Sequence, residues 1–138
     1  MAFMTLHPTR PGEFTIIPKV HIDHFSDLPD DLACHIMRHA QRLSQNLLKH
    51  FKPERVGIVV HGYGIHHAHM IIVPQHNGHD IVSGRHVMIE NGEIHFGYTH
   101  LETPPREELD RQAMMLGYKP QQDGEHAPPE GRGAAPRP

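Results

Sequence analysis

The chain has 138 residues, which is enough for one globular domain with its own core, and 37% of them are hydrophobic. Its formal net charge is −3 with histidine neutral and it has no lysine/arginine block, which excludes nucleic-acid binding through non-specific charge. The single cysteine, the absence of a signal-peptide pattern and the absence of a long apolar run predict a cytoplasmic protein that is not embedded in a membrane.

The N-terminal half predicts two strands, one long helix and a third strand. Residues 2–6 and 14–17 are short apolar or β-branched segments joined by a turn rich in proline and glycine, which indicates an antiparallel pair. Residues 26–31 contain the serine, aspartates and proline typical of a helix start. Apolar residues then recur every three or four positions for about five to six turns. Residues 55–60, rich in valine and isoleucine, predict the third strand.

The fourth strand is expected at residues 67–74, where the side chains alternate with period two. Ala68, Met70 and Ile72 are apolar and are expected to face the core. His67 and His69 then lie side by side on the opposite face. A turn containing Gly62 and Gly64 leads into this strand. A histidine pair behind a glycine-rich turn is suited to chemistry on an anion or to holding a metal ion.

Two further elements are predicted after this strand. Residues 86–90 and 93–96 flank Asn91-Gly92, and this dipeptide between two alternating runs is the strongest short signal for a β-hairpin. Thr103, followed by two prolines and two glutamates, predicts a second helix with a threonine cap.

The last part of the chain differs in composition. From residue 118 proline and glycine dominate and apolar side chains are nearly absent, so we expect a single domain over residues 1–117 and a flexible tail over 118–138. Strands, a long helix and further strands in this order predict an α+β fold, with an antiparallel sheet covered on one face.

The order of elements and the segment 67–74, His-Ala-His-Met-Ile-Ile-Val-Pro, together resemble the histidine-triad (HIT) family of nucleotide hydrolases and transferases. The family signature alternates three histidines with apolar residues, and here Ile71 replaces the third. The resemblance extends to the Pro-Gly-Glu-Phe-Thr-Ile-Ile-Pro-Lys segment at 11–19 and covers roughly residues 2–76. It implies an antiparallel sheet with one long helix packed on it, a short C-terminal helix and a homodimer.

The chain departs from the family pattern at other positions as well. Thr5 falls where members carry the acidic residue that holds the ribose hydroxyls, and Glu13 replaces the histidine of their Pro-Gly-His segment. The first hairpin of the family is missing, and our hypothesis is that the Asn91-Gly92 hairpin supplies those strands. Phe3 and Leu6 are candidates for a wall against the base, although the core is the more common place for such residues.

The resemblance assigns His69 as the nucleophile, which forms a nucleotidyl-histidine and expels a substituent from a nucleoside 5′-phosphate. A neutral imidazole is a good nucleophile near pH 7, provided that its second nitrogen is oriented, most simply by a backbone carbonyl. Relatives with glutamine at the position of Ile71 remain active, so the third histidine is not obligatory. We expect no cofactor and no metal. The residues expected to bind the substrate are His67, His61, Gly62, Gly64, Ile65 and Thr5.

Three alternatives to this enzymatic interpretation stay open. The first is a nucleotide-binding module with little catalysis. The second is a metal site in which His61, His67 and His69 supply the three nitrogens that a catalytic zinc needs. The third is an interaction protein that recruits partners through its tail. The predicted partners are a nucleotide substrate and a second copy of the chain, with neither nucleic acid nor a membrane.

Overall fold

The computed structural model describes residues 1–81, 86–97 and 99–119. A 3₁₀ turn at Phe25–Asp27 precedes the long helix. In chain order the other elements are β1 (Ala2–Met4), β2 (Phe14–Ile16), α1 (Asp30–Phe51), β3 (Arg55–Val59), β4 (Met70–Gln75), β5 (Val87–Glu90), β6 (Glu93–Phe96) and α2 (Arg106–Met115).

Four strands form one antiparallel sheet in the order β1-β2-β4-β3. Met4 pairs with Phe14, Phe14 with Ile72 and Ile72 with Ile58, so these four side chains form one row across the sheet. Because side chains alternate along a strand, this row and the residues two positions away share one face. The α+β fold predicted from the sequence is confirmed.

Helix α1 covers that face and forms the core with it. Phe14, Met70 and Ile72 are buried there, together with Ala40 and Leu47 from the helix. Burial of a large apolar side chain stabilises the fold by about 1.5–3 kcal/mol. The helix ends where Lys52 adopts a left-handed conformation, just before a proline that cannot continue it. The apolar alternation along the histidine strand is therefore confirmed as a core face.

Helix α2 packs against the rest of the domain through specific polar contacts. The side-chain oxygen of Gln112 accepts a 2.8 Å hydrogen bond from the amide of Gly12, and Gln112 itself is buried. Asn46 of α1 donates to the carbonyl of Leu116 at 2.9 Å. Since buried polar groups cost free energy unless they are paired, these bonds specify where the helix docks.

Two local predictions were wrong. Strand β4 begins at Met70 rather than at residue 67, because the amide of Ala68 donates to the carbonyl of Ile22 in a loop instead of to a neighbouring strand. Prolines precede both α-helices at the cap position, where no side chain caps the helix. The hydroxyl of Thr103 instead lies 3.1 Å from Nδ1 of His7.

The predicted hairpin exists, but it does not join the main sheet. β5 and β6 pair only with each other, as a separate two-stranded sheet. The hypothesis that the hairpin adds strands to the family's sheet is therefore wrong as regards pairing. The hairpin lies instead over the face that α1 leaves open. Residues 120–138, most of the predicted tail, lie outside the described residues, and the helices within the described residues are too short or too polar to cross a membrane.

Candidate functional site

A cavity of about 830 Å³ lies between the open face of the four-stranded sheet and the β5–β6 hairpin. This volume is within the range of small-molecule sites. One row of its floor crosses the sheet as Phe3, Thr15, Ile71 and Val59. The cavity is therefore built from the strand residues that alternate with those of the core.

The rows on either side of this one differ in chemistry. Towards the glycine-rich turn lie Ile17, His69 and His61. In the opposite direction lie Thr5 and Glu13, which are opposite each other because the amide of Thr5 donates to the carbonyl of Glu13 at 3.1 Å. The floor thus passes from an imidazole end to a hydroxyl and carboxyl end.

His69 is oriented by its own backbone. Its Nδ1 lies 2.8 Å from the carbonyl oxygen of His67. A carbonyl can only accept, so Nδ1 carries the proton, and Nε2 of the neutral ring holds the free lone pair. Among the described residues Nε2 has no hydrogen-bond partner. This is the orientation that a histidine nucleophile requires.

His67 has both of its ring nitrogens engaged within the protein. Nε2 lies 3.2 Å from the carbonyl of Pro18 and must donate to it. Nδ1 lies 3.1 Å from Nδ1 of His21, and in the neutral ring it accepts a hydrogen bond from that residue. A contact between His67 and a phosphate requires one of these bonds to open, and the predicted role of His67 stays a prediction.

The glycine-rich turn, where Gly62, Gly64 and Ile65 were expected to bind the substrate, uses one of its backbone donors within the turn itself. Gly64 has φ +93°, the left-handed region that glycine favours. However, the amide of Ile65 donates to the carbonyl of Tyr63 at 3.0 Å within the turn. That donor is therefore unavailable to a ligand in this structure. His61 and the side chain of Ile65 line the cavity, whereas Gly62 and Gly64 do not.

Thr5 lines the cavity, and its contact with the substrate stays a prediction. The carboxyl group beside it belongs to Glu13, which the sequence did not assign to the site. Glu13 is 5% exposed, and its Oε2 accepts a 2.8 Å hydrogen bond from the amide of Thr9. Burial raises the pKa of the Glu13 carboxyl, and hydrogen bonds from Thr9, Thr5 and Arg10 oppose that rise only in part. The one sequence signal for Glu13 was its place in the Pro-Gly-x segment.

A second buried carboxylate lies at the cavity wall. Asp80 accepts hydrogen bonds from the amides of His76 and Asn77, and Nε of Arg10 lies 2.8 Å from its Oδ1. Burial acts to raise the pKa of Asp80, but these donors outweigh it and hold the pKa below its ordinary value. The negative charge of Asp80 at the cavity wall is therefore balanced by the neighbouring Arg10.

The hairpin provides an apolar wall opposite the floor. Val87 and Phe96 are paired across β5 and β6, and both line the cavity. Of the two wall candidates, Phe3 in β1 lines the cavity and is about half exposed, while Leu6, two residues after β1, is exposed outside the cavity, so neither belongs to the core.

The metal-site alternative has no support in the part of the chain that the structure describes. His61, His67 and His69 all line the cavity, but there is no group of three or more His, Cys, Asp or Glu residues arranged to hold a metal ion among those residues. A catalytic zinc needs three protein ligands at one point.

Comparison with known proteins agrees with the fold. The family model "HIT domain" matches residues 1–78. An uncharacterized HIT-like protein of Methanocaldococcus jannaschii is 28% identical over 83 residues, which are 56% of this chain and 64% of that protein. The match thus spans less than two thirds of the relative's length.

Solved structures resemble the chain in fold. A HIT-like protein involved in cell-cycle regulation from Bartonella henselae, solved with an unknown ligand, superposes with a TM-score of 0.63 at 19% identity, covering 83% of this chain and 76% of that one. A hypothetical histidine triad nucleotide-binding protein of Sulfolobus tokodaii gives 0.61 at 15% identity, over 83% and 73%. Because the family model covers more than half of the residues, the chain belongs to the HIT family.

Proposed function

We propose that this protein binds a nucleotide in the cavity and cleaves a substituent from its 5′-phosphate through a nucleotidyl-His69 intermediate. The substrate is a nucleoside phosphoramidate or a dinucleoside polyphosphate. The observation that carries the proposal is the 2.8 Å bond from Nδ1 of His69 to the carbonyl of His67, which leaves the Nε2 lone pair available on a residue that lines the cavity.

The reaction has two displacements at phosphorus. In the first, Nε2 of His69 forms a bond to the α-phosphorus, and the bond to the substituent breaks with its electron pair, which a proton from solvent neutralises. In the second, water attacks the same phosphorus and loses a proton, and the phosphorus–nitrogen bond breaks. The products are the nucleoside monophosphate, the free substituent and neutral His69.

The pair Thr5 and Glu13 suits the sugar of such a substrate. A carboxyl group and a hydroxyl group can both accept hydrogen bonds from sugar hydroxyls. They lie opposite each other just after β1 and just before β2, two rows of the floor beyond His69. The acidic group that the family resemblance places at Thr5 is thus supplied in this chain from the neighbouring strand.

Ile71 lowers the expected turnover. It lines the cavity next to His69 but has no polar atom, so it offers no hydrogen bond to the charge that develops at phosphorus. The loss of one preorganised donor typically costs ~2.7–4 kcal/mol, or roughly 10²–10³ in rate. A nucleotide-binding module with little catalysis is therefore the second candidate function.

We also propose a cytoplasmic homodimer. α1 and the edge strand β3 expose large apolar side chains on the side away from the cavity: Met37 and Leu48 from the helix, and Ile58 and Val60 from and just after the strand. Exposed large apolar side chains on two elements that contact each other are typical of interaction surfaces. Sedimentation of the protein at micromolar concentration tests this part, and a monomer would contradict it.

The test of the function is release of AMP from adenosine 5′-phosphoramidate and from diadenosine polyphosphates. Wild type is expected to release AMP, and His69→Ala is expected to release none. His66→Ala is the matched control, because His66 is an exposed neighbour that pairs with Asp23 outside the cavity, so it should keep full activity. AMP binding without release would support the binding module, and equal activity of wild type and His69→Ala would rule out the nucleotidyl-histidine.

A further inference from the structure

The hairpin wall has an aromatic ring that is only partly used by the protein. Phe96 lines the cavity, yet 77% of its surface is open to solvent. Its cross-strand partner Val87 lies beside it on the same face of the hairpin. Large apolar side chains that line a cavity while remaining exposed are typical of surfaces completed by a ligand.

Contacts at the base of the hairpin fix this wall relative to the floor of the cavity. The hydroxyl of Thr9 lies 2.8 Å from Nε2 of His86, the residue just before β5, and the amide of Gly97 donates to the carbonyl of His86. The amide of Thr9 in turn donates to Glu13. The hairpin is therefore connected by a short series of hydrogen bonds to the carboxyl end of the floor.

These contacts place the parts of the cavity in one order. Measured along the chain from His69, Ile71 lies about 7 Å away and Val73 about 13 Å away, since a strand rises about 3.3 Å per residue. All three residues line the cavity. Val73 belongs to the same region of the cavity as Thr5 and Glu13, and Thr9 and His86 lead from there to Val87 and Phe96. A nucleotide with its phosphate at His69 and its sugar at Thr5 would carry its base towards the hairpin.

We infer that Val87 and Phe96 of the β5–β6 hairpin form the nucleobase site, in which the base packs against the ring of Phe96. This inference rests on the proposed function, and it gives the hairpin a role in binding in place of the strand pairing that the sequence suggested. An aromatic ring binds a base by stacking on its face, so removal of the ring weakens binding of the base and not of the sugar phosphate.

A fluorescence experiment tests the contact directly. The chain contains no tryptophan, so Phe96→Trp introduces a single reporter into the wall. Ile94→Trp is the matched control, because Ile94 lies on the same strand and face, two residues away, and does not line the cavity. AMP is expected to quench the emission of Phe96→Trp and to leave Ile94→Trp unchanged, while ribose 5-phosphate changes neither.

Binding measurements provide the second test. Phe96→Ala is expected to raise the Kd for AMP by about 5- to 150-fold, the equivalent of 1–3 kcal/mol, and to leave the Kd for ribose 5-phosphate unchanged. Ile94→Ala should change neither. An unchanged AMP affinity in Phe96→Ala would overturn the inference. A change in the oligomeric mass of Phe96→Ala, with the Kd for AMP unchanged, would overturn it as well, because Phe96 would then belong to a protein interface.

The inference and the proposed function can fail separately. If wild type releases AMP through His69 but Phe96→Ala binds AMP normally, the base site is wrong and the enzymatic proposal stands. If Phe96→Trp responds to AMP but no substrate is cleaved, the base site stands and hydrolysis is wrong. If wild type binds neither AMP nor ribose 5-phosphate, both are overturned.

Discussion

The two faces of the four-stranded sheet are built from the same strands, but one forms the core and the other borders the cavity. On one face Phe14, Met70 and Ile72 pack against α1 with almost no exposed surface. On the other face their neighbours Thr15, His69 and Ile71 border a cavity. Because side chains alternate along a strand, stability and ligand contact are assigned to adjacent residues. Single substitutions one position apart should therefore affect one property and leave the other nearly unchanged.

The largest expected effect on stability is at Ile72. Ile72→Ala should lower the free energy of unfolding by about 2–5 kcal/mol, because it leaves a void in the core beneath α1. Ile71→Ala, one residue away, should lower it far less, because that side chain already borders the cavity. Urea unfolding followed by circular dichroism measures both. Equal losses would mean that the open face is packed as tightly as the core.

The next effect concerns catalysis at the open face. Ile71→His places a hydrogen-bond donor beside His69, and it should raise the rate of AMP release by roughly 10²–10³. Ile71→Val is the matched control, because it changes the shape of the side chain without adding a donor. Both variants should unfold at nearly the same urea concentration as wild type. If Ile71→His is no faster than Ile71→Val, this position does not contact the reacting phosphate.

A smaller effect is expected at His21, which acts through His67. His21→Phe removes the donor to Nδ1 of His67, the bond that holds this ring when its Nε2 leaves the carbonyl of Pro18 for the phosphate. Since one such hydrogen bond is worth about 0.5–1.5 kcal/mol, we expect kcat to fall by roughly 2- to 12-fold. His21→Gln retains a donor and should restore most of the rate. The melting temperatures of the two variants serve as the control. A loss of rate in His21→Gln as large as in His21→Phe would show that His67 does not depend on this bond.

The sequence was sufficient where the structure depends on local periodicity. The alternation from 67 to 72 predicted which side chains enter the core, and the Asn91-Gly92 signal predicted the hairpin. The expectation that a backbone carbonyl orients the ring of His69 agrees with its bond to His67, which is two residues away in the chain. Each of these features involves residues close in the chain, where spacing determines geometry.

Features that depend on register and long-range contact were not predictable in this way. Glu13 enters the site only because β1 and β2 pair so that it lies opposite Thr5. The bond between His21 and His67 joins residues 46 positions apart. The hairpin could be recognised locally, but its position over the cavity is set by Thr9 and His86, 77 positions apart. Loop closures of this length leave no periodic signal in a single sequence.

The smallest expected effect is the pH dependence that Glu13 contributes to stability. Burial raises the pKa of this carboxyl in the folded state above its ordinary value of 4.5, so the folded protein binds more protons than the unfolded chain just above that pH. Stability from this group is therefore highest at low pH, and it falls as pH rises from 4.5 through the folded pKa. Glu13→Gln cannot titrate, and a glutamine oxygen can still accept from Thr9. The difference in melting temperature, wild type minus Glu13→Gln, should therefore decrease from pH 4 upward and become constant once Glu13 is ionised in both states. A difference that increases over this range would mean that the hydrogen bonds from Thr9, Thr5 and Arg10 outweigh burial, and that Glu13 is a stabilised carboxylate in the floor of the site.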